Sequence, residues 1–292
     1  MCHLAPMLHN RGNLLSHLND RLDRGTSMGR SKRSFDGLVK LYRFKHAALW
    51  LTRMPVIKSI TMKVLDVDSM NLRYIPVYED IELPSGAAAP ISVVEHFIEN
   101  ASHHVILNRC PCRSENGCTE YDRSFGCTFL GEDARGVDPE VGRHVTKQEA
   151  LDHLNQATES GLISMVGKFR ADAIMLGVKD RARLISICHC CPCCCLIGNL
   201  PGGARELMEH FVRLEGVKIE VTEDCDGCGL CVDTCLFKQI KVCGGAAFIA
   251  EECRGCGRCA MVCPLNAVRV TVDNPSYIEE CIARISSRVD VG

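Results

Sequence analysis

At 292 residues, with 46% hydrophobic and 24% charged side chains, the chain can bury ordinary apolar cores in about two domains, so its 21 cysteines are not needed as staples. A net charge of −2 gives no electrostatic support for a nucleic-acid partner. Nothing in the sequence approaches the run of about 18 uncharged apolar residues that a membrane-spanning helix needs.

The first thirty or so residues are polar and lack a secretory pattern, being broken by His3, His9, Arg11, His17, Asp20 and Arg21. Ser31-Lys32-Arg33-Ser34-Phe35 has the outline of a twin-arginine signal. However, Lys32 replaces one arginine, and Lys40, Arg43 and Lys45 interrupt the stretch that would have to be apolar. A reducing cytoplasm is the expected address, and Met54 offers an alternative start.

Residues 1–66 are expected to form an extension whose part from 35 to 65 is a basic amphipathic helix interrupted at Pro55. Leu38, Leu41, Tyr42, Leu49, Trp50, Met54 and Ile57 alternate there with Lys40, Arg43, Lys45, Arg53, Lys58 and Lys63. The segment either packs on the next domain with a solvated basic face or meets a membrane surface or partner protein.

Residues 67–216 read as a cysteine-rich α/β domain. The β-prone run His104 to Asn108 leads into Cys110-Pro111-Cys112, followed by Cys118 and Cys127. Thr146 and Glu149 form a capping box for a helix carrying Ala150, Leu151, Leu154 and Ala157 and ending at Gly161. A strand follows over Leu162 to Val166. Leu184 to Ile187 then leads into Cys188, Cys190, Cys191, Cys193, Cys194 and Cys195, six cysteines within eight residues. Gly202 and Gly203 open a predicted helix with Leu207, Phe211 and Leu214 on one face before Gly216.

Two strands that each deliver Cys-x-Cys at their ends could lie side by side and combine their ligands. Adjacent cysteines point in different directions on an extended chain, so only some of the ten can serve one site. Four suffice for one [4Fe-4S] cluster and eight for two. A thiol redox site, another metal, incidental thiols and a station for delivering iron or sulfur stand as alternatives. His103, His104 and His189 lie near cysteines and could ligate iron, or could simply pack. No triad, Walker loop or dinucleotide fingerprint is present.

The most specific signal comes last. Cys225, Cys228, Cys231 and Cys235 follow the spacing Cys-x2-Cys-x2-Cys-x3-Cys, and Cys253, Cys256, Cys259 and Cys263 repeat it before Pro264. Three thiolates on a tight loop can wrap one face of a cubane, while the fourth, expected to start a helix leading away, serves the other cluster. Cys225, Cys228, Cys231 and Cys263 would then hold one [4Fe-4S] centre, and Cys253, Cys256, Cys259 and Cys235 the second. Gly227, Gly229, Gly255 and Gly257 supply the turns, and each half ends in a short strand, IKV or VRV. A zinc ribbon or disulfide cluster does not fit two interlocked runs of four.

These residues resemble the bacterial-type two-[4Fe-4S] ferredoxin family over residues 217–272, except that Leu236 stands where the family has proline. Residues 54–272 are similar to larger ferredoxin-type proteins of anaerobes, through Cys110 to Arg113, Gly117-Cys118 and Gly126 to Gly131. That resemblance implies electron transport. The Cys-Cys pairs also resemble those of heterodisulfide reductases, which carry Cys-Cys-Gly where this chain has Pro192 or Leu196.

The expected fold class is α+β: a mixed cysteine-rich domain, a ferredoxin-like two-[4Fe-4S] domain over 217–272 and a tail over 273–292. The expected function is relay of low-potential electrons through two [4Fe-4S] clusters to or from a further cysteine-ligated centre or a partner oxidoreductase. The alternative is a reductase whose upstream cluster binds substrate through an open iron.

Overall fold

The structure is a computed structural model describing residues 29–77, 81–85, 87 and 89–292. The polar stretch on which the expectation of a leaderless N-terminus rests lies almost wholly outside the described residues.

A seven-stranded sheet organises the α+β fold, in the order β4-β2-β3-β6-β5-β1-β7. Its strands are β1 (Asn71–Tyr74), β2 (His104–Leu107), β3 (Thr128–Leu130), β4 (Gly142–Val145), β5 (Ile163–Lys168), β6 (Ile185–Cys190) and β7 (Phe211–Arg213). All pairs are antiparallel except β1 with β7. Successive side chains of a strand point to opposite faces, and here both faces are covered. In β3, Leu130 joins a core with Val94, Phe97 and Leu154, from the helices Ser92–Asn100 and Lys147–Glu159. Its neighbour Phe129 joins another with Phe35, Val39 and Leu176, from the helices Lys32–Val39 and Arg170–Leu176.

The capping box is present, with Thr146 Oγ1 accepting from the Glu149 amide at 3.3 Å and the Glu149 carboxylate accepting from the Thr146 amide at 2.8 Å. The predicted strand after Gly161 is β5. Pro55 does interrupt the helical segment before residue 66, opening the helix Pro55–Leu65, where its missing N–H costs nothing.

Three expectations are corrected. The strands leading to Cys110 and Cys188 are not neighbours, because β3 lies between β2 and β6. The stretch after Gly203 is helical only over Arg205–Met208. Phe211 then enters β7, fully buried, where it closes the exposed edge of β1 and meets Phe169 edge-on at 5.6 Å. Hydrogen bonding along an otherwise open sheet edge overrides the helical spacing there. In both C-terminal repeats the fourth cysteine ends a helix: Cys235 follows Leu230–Thr234, and Cys263 follows Arg258–Met261.

The C-terminal part is built on two antiparallel ribbons: β8 (Val217–Val221) with β11 (Val268–Val272), and β9 (Ile240–Cys243) with β10 (Ala246–Ile249). The apolar side of the first packs into the main core through Val217, Val268, Val270 and Val272. The final helix Tyr277–Ser286 buries Tyr277, Cys281 and Ile285 against the same core. Beyond it, the Val291 carbonyl accepts from Ser102 N at 2.7 Å.

Candidate metal centres

The two repeats fold alike in backbone detail. Gly227 and Gly229 have φ of 71° and 83°, and their counterparts Gly255 and Gly257 have 68° and 78°. A side chain at Gly227 would press its Cβ to 2.5 Å from the Gly245 carbonyl oxygen, so the close approach itself demands glycine. Lys238 and Asn266, three residues past the fourth cysteine of each run, are also left-handed, at 56° and 50°. Those turns aim an amide back at that cysteine: Gln239 N donates to Cys235 Sγ at 3.3 Å, and Ala267 N donates to Cys263 Sγ at 3.2 Å.

The chain brings the thiols together across the repeats. Cys225, Cys228, Cys231 and Cys263 line one small cavity with Ala247 and Val268. Ala247 N donates to Cys225 Sγ at 3.3 Å. Cys253, Cys256, Cys259 and Cys235 lie near enough to one another to interact electrostatically at a second place. Burial pushes the Cys256 thiol up to about 12, and the nearby Cys253 and Cys235 add to the rise. Each set offers four sulfur ligands with amide hydrogens already turned toward some of them, the donor set of an iron-sulfur cubane. Thiols held protonated by burial must release those protons when a metal enters.

The ten upstream thiols converge because β3 runs antiparallel to both its neighbours. The start of β3 therefore sits at the same edge of the sheet as the ends of β2 and β6. Cys127 precedes β3, Cys110 and Cys112 follow β2, and Cys188 and Cys190 end β6, two residues apart on one face. Seven of the ten, Cys110, Cys112, Cys127, Cys188, Cys190, Cys191 and Cys195, line an apolar cavity, with Cys195 Sγ 3.2 Å from Cys190 Sγ. At its edge Cys191 also meets Cys118, Cys193 and Cys194, all four of these sulfurs lying within 4.8 Å of one another. In the larger group Cys110 is held low by hydrogen bonds from Cys112 and Cys127, and giving those bonds drives the latter two well up. So many facing thiols cannot ionise together unless a cation arrives.

None of the three candidate histidines is directed at these sulfurs by its hydrogen bonds. His103 Nε2 lies 2.6 Å from His144 Nδ1, and His104 Nε2 lies 2.6 Å from the Ile98 carbonyl oxygen. His189 lines the thiol cavity, but its ring nitrogens are engaged elsewhere, with Nδ1 3.2 Å from Ser164 Oγ and Nε2 3.5 Å from Thr128 Oγ1.

Several residues that sequence reasoning left unassigned complete the larger cavity. Arg113, 1% exposed, donates to the carbonyls of Asp122 at 2.9 Å and His189 at 2.8 Å, and to that of Phe125, placing a fixed positive charge beside the thiols. Tyr42, from the segment before residue 66, lines the cavity and donates to Met175 Sδ at 3.3 Å. Asp172 faces it with Oδ2 unpartnered, and burial pushes its carboxyl up to about 6. The Cys-Pro-Cys-Arg motif was the available signal for Arg113. Tyr42 and Asp172 left none.

Tyr74 links the two regions. Fully buried, it stands close to Cys190 and Cys195 on the upstream side and to Cys256 in the second repeat. Burial first, and these thiols next, push its hydroxyl well above its ordinary value. Its ring meets Phe237 edge-on at 4.9 Å, and its hydroxyl has no hydrogen-bond partner among the described residues. A buried orphan hydroxyl among thiols is a donor poised for a sulfur-rich group. One apolar core, containing Tyr74, Phe237, Cys190 and Cys195, packs directly against Cys188, Cys235 and Cys256.

A family model described as a 4Fe-4S binding domain matches residues 246–269, the stretch that carries Cys253, Cys256, Cys259 and Cys263. No curated protein and no solved structure matches the chain. Among the described residues, no helix is long and apolar enough to cross a membrane. The matched motif and the clustered thiols make this an iron-sulfur protein with at least one [4Fe-4S] cluster.

Proposed function

We propose that the protein is an electron-transfer protein with two [4Fe-4S] centres in its C-terminal repeats and a further iron-sulfur centre in the upstream thiol-lined cavity. Cys225, Cys228, Cys231 and Cys263 would hold the first, Cys253, Cys256, Cys259 and Cys235 the second. The ligands of the third would come from Cys110, Cys112, Cys127, Cys188, Cys190 and Cys195. When bound, such clusters supply one-electron transfer at potentials set by their surroundings.

The observation that carries this reading is the single apolar core in which the upstream cysteines meet Cys235 and Cys256 across Tyr74 and Phe237. The chain's own work there is to exclude water, fix the separation of the sites and present amide hydrogens to sulfur. A reductase with an open iron would be short of a protein ligand, and a cavity lined by seven thiols speaks for a fully ligated centre.

The reading extends to a redox partner protein and a reducing cytoplasm. Cluster ligands must be kept as reduced thiols, a state that a reducing compartment maintains. The segment before residue 66 covers the cavity with Tyr42 while leaving Phe44, Trp50 and Val56 outside, 60%, 59% and 70% exposed. Such a row of apolar side chains beside Lys40, Arg43 and Arg53 suits the docking of an acidic partner surface.

Iron and acid-labile sulfide analysis of anaerobically purified protein tests the proposal. Three cubanes give about 12 sulfides per chain, and two give about 8, a result that ends the upstream-cluster reading. A second measurement addresses Tyr74. Tyr74→Phe keeps the ring and removes the orphan donor. Losing one hydrogen bond of about 1 kcal/mol to a reduced centre lowers one reduction potential by roughly 40 mV. Potentials unchanged in a redox titration of the variant would show that the hydroxyl serves no centre.

A further inference from the structure

The smaller thiol group differs from the others in spacing. Cys118 sits just past Gly117, which has φ of 61°, in the loop between the helix Pro111–Glu115 and β3. Cys191, Cys193 and Cys194 lie in the turn that follows β6. Two chain segments distant in sequence thus bring four sulfurs within 4.8 Å of one another, and Cys118 Sγ is 3.5 Å from Cys193 Sγ.

Four thiolates around a single tetrahedral ion, each about 2.3 Å from it, stand roughly 3.8 Å apart. A cubane places its thiolates outside the corners of an iron-sulfur cube and spreads them farther. The observed spacing therefore suits one ion. The four sulfurs also fill all four positions, which is the closed arrangement of a structural site rather than the open one of a catalytic site.

The surroundings agree. One divalent ion with four thiolates keeps a charge of −2, and two cations stand by. Lys45, buried, donates through Nζ to Asn116 Oδ1 at 2.9 Å and to the Cys194 carbonyl at 3.2 Å. Arg113 is held by the loop carbonyls of Asp122 and Phe125. The buried side of the group is apolar: Ala157 and Leu162 pack with Cys118, Cys191 and Cys194, and Tyr121 and Phe125 lie against them. The loop from Asn116 to Cys127 has no helix or strand of its own, so a tie at Cys118 would fix the segment that supplies Arg113's carbonyl partners and Cys127.

We propose that Cys118, Cys191, Cys193 and Cys194 bind one metal ion, zinc or ferrous iron, in a closed tetrathiolate site that is separate from every iron-sulfur cluster and pins the 116–127 loop to the turn after β6. Cys191 lies on the wall of the larger cavity too, and in this assignment it serves the single ion while the other six thiols of that cavity remain for a cluster.

Total metal and acid-labile sulfide are measured on the full chain purified anaerobically. Cubanes contain equal numbers of iron and sulfide, so the proposal expects zinc plus iron to exceed sulfide by one atom per chain, whatever the number of cubanes. Equality of metal and sulfide overturns it. In Cys193→Ser, where the replaced thiol is exposed, the excess atom is lost while sulfide and the cluster absorption stay unchanged. Loss of about four irons together with four sulfides would instead reveal a cubane and overturn the proposal. The wild-type excess decides the matter if the variant does not fold. Loss of zinc against loss of iron identifies the ion.

Discussion

Cys263→Ala and Cys228→Ala are expected to abolish the same electron paramagnetic resonance signal, although the two residues belong to different repeats. Cys235→Ala and Cys256→Ala should abolish the other. Each replacement removes one of four ligands and costs about four irons per chain, while the remaining centre keeps its signal. The expectation rests on the cavity that Cys263 shares with Cys225, Cys228 and Cys231, and on the place of Cys235 among the second repeat's thiols. If each fourth cysteine served its own run, Cys263→Ala would pair with Cys256→Ala instead. That outcome would sink the cross-paired assignment. Exposed Cys243 is the control, since it lies in β9 outside both sets, and Cys243→Ser should retain both signals.

The second large effect concerns the upstream cavity. Cys110→Ser combined with Cys112→Ser removes two of its seven thiols, both from the chain just beyond β2. Iron should fall by about four atoms and sulfide by the same number, with both ferredoxin-type signals intact. The repeats are expected to survive because their amide-to-sulfur bonds come from within the C-terminal part. An unchanged iron content would mean that these thiols hold no cluster. Loss of every centre together would point to collapse of the shared core, and circular dichroism of the variant distinguishes that case.

Local signals in the sequence carried well. Short-range spacing placed the eight C-terminal cysteines in two equivalent runs, and the structure gives those runs matching left-handed glycines. Thr146 and Glu149 marked a helix start because both partners lie within one turn. Long-range pairing was not legible. Nothing in Thr128 to Leu130 announced a strand of three residues inserted between β2 and β6, so the two Cys-x-Cys segments read as neighbours. The 3.6-residue spacing of Leu207, Phe211 and Leu214 imitated a helix, because the need of β1 for a partner is invisible locally. The sorting of the ten thiols into two neighbouring groups that meet at Cys191 depends on the direction of each side chain after β6. Cysteine content alone gives no such direction. Tyr74 carried no motif at all; its position between two thiol groups arises from sheet order.

The exchange of the fourth cysteine has a consequence for how the protein matures. Under the cross-paired ligation, filling the site of Cys225, Cys228 and Cys231 also anchors Cys263, and with it the end of the helix that carries Cys259. The first cluster thereby orders a ligand of the second, and the second insertion meets a smaller entropic cost. When iron is scarce, the chains should then divide into empty and doubly loaded populations, with few holding a single cluster. Native mass spectrometry during reconstitution would read that distribution directly.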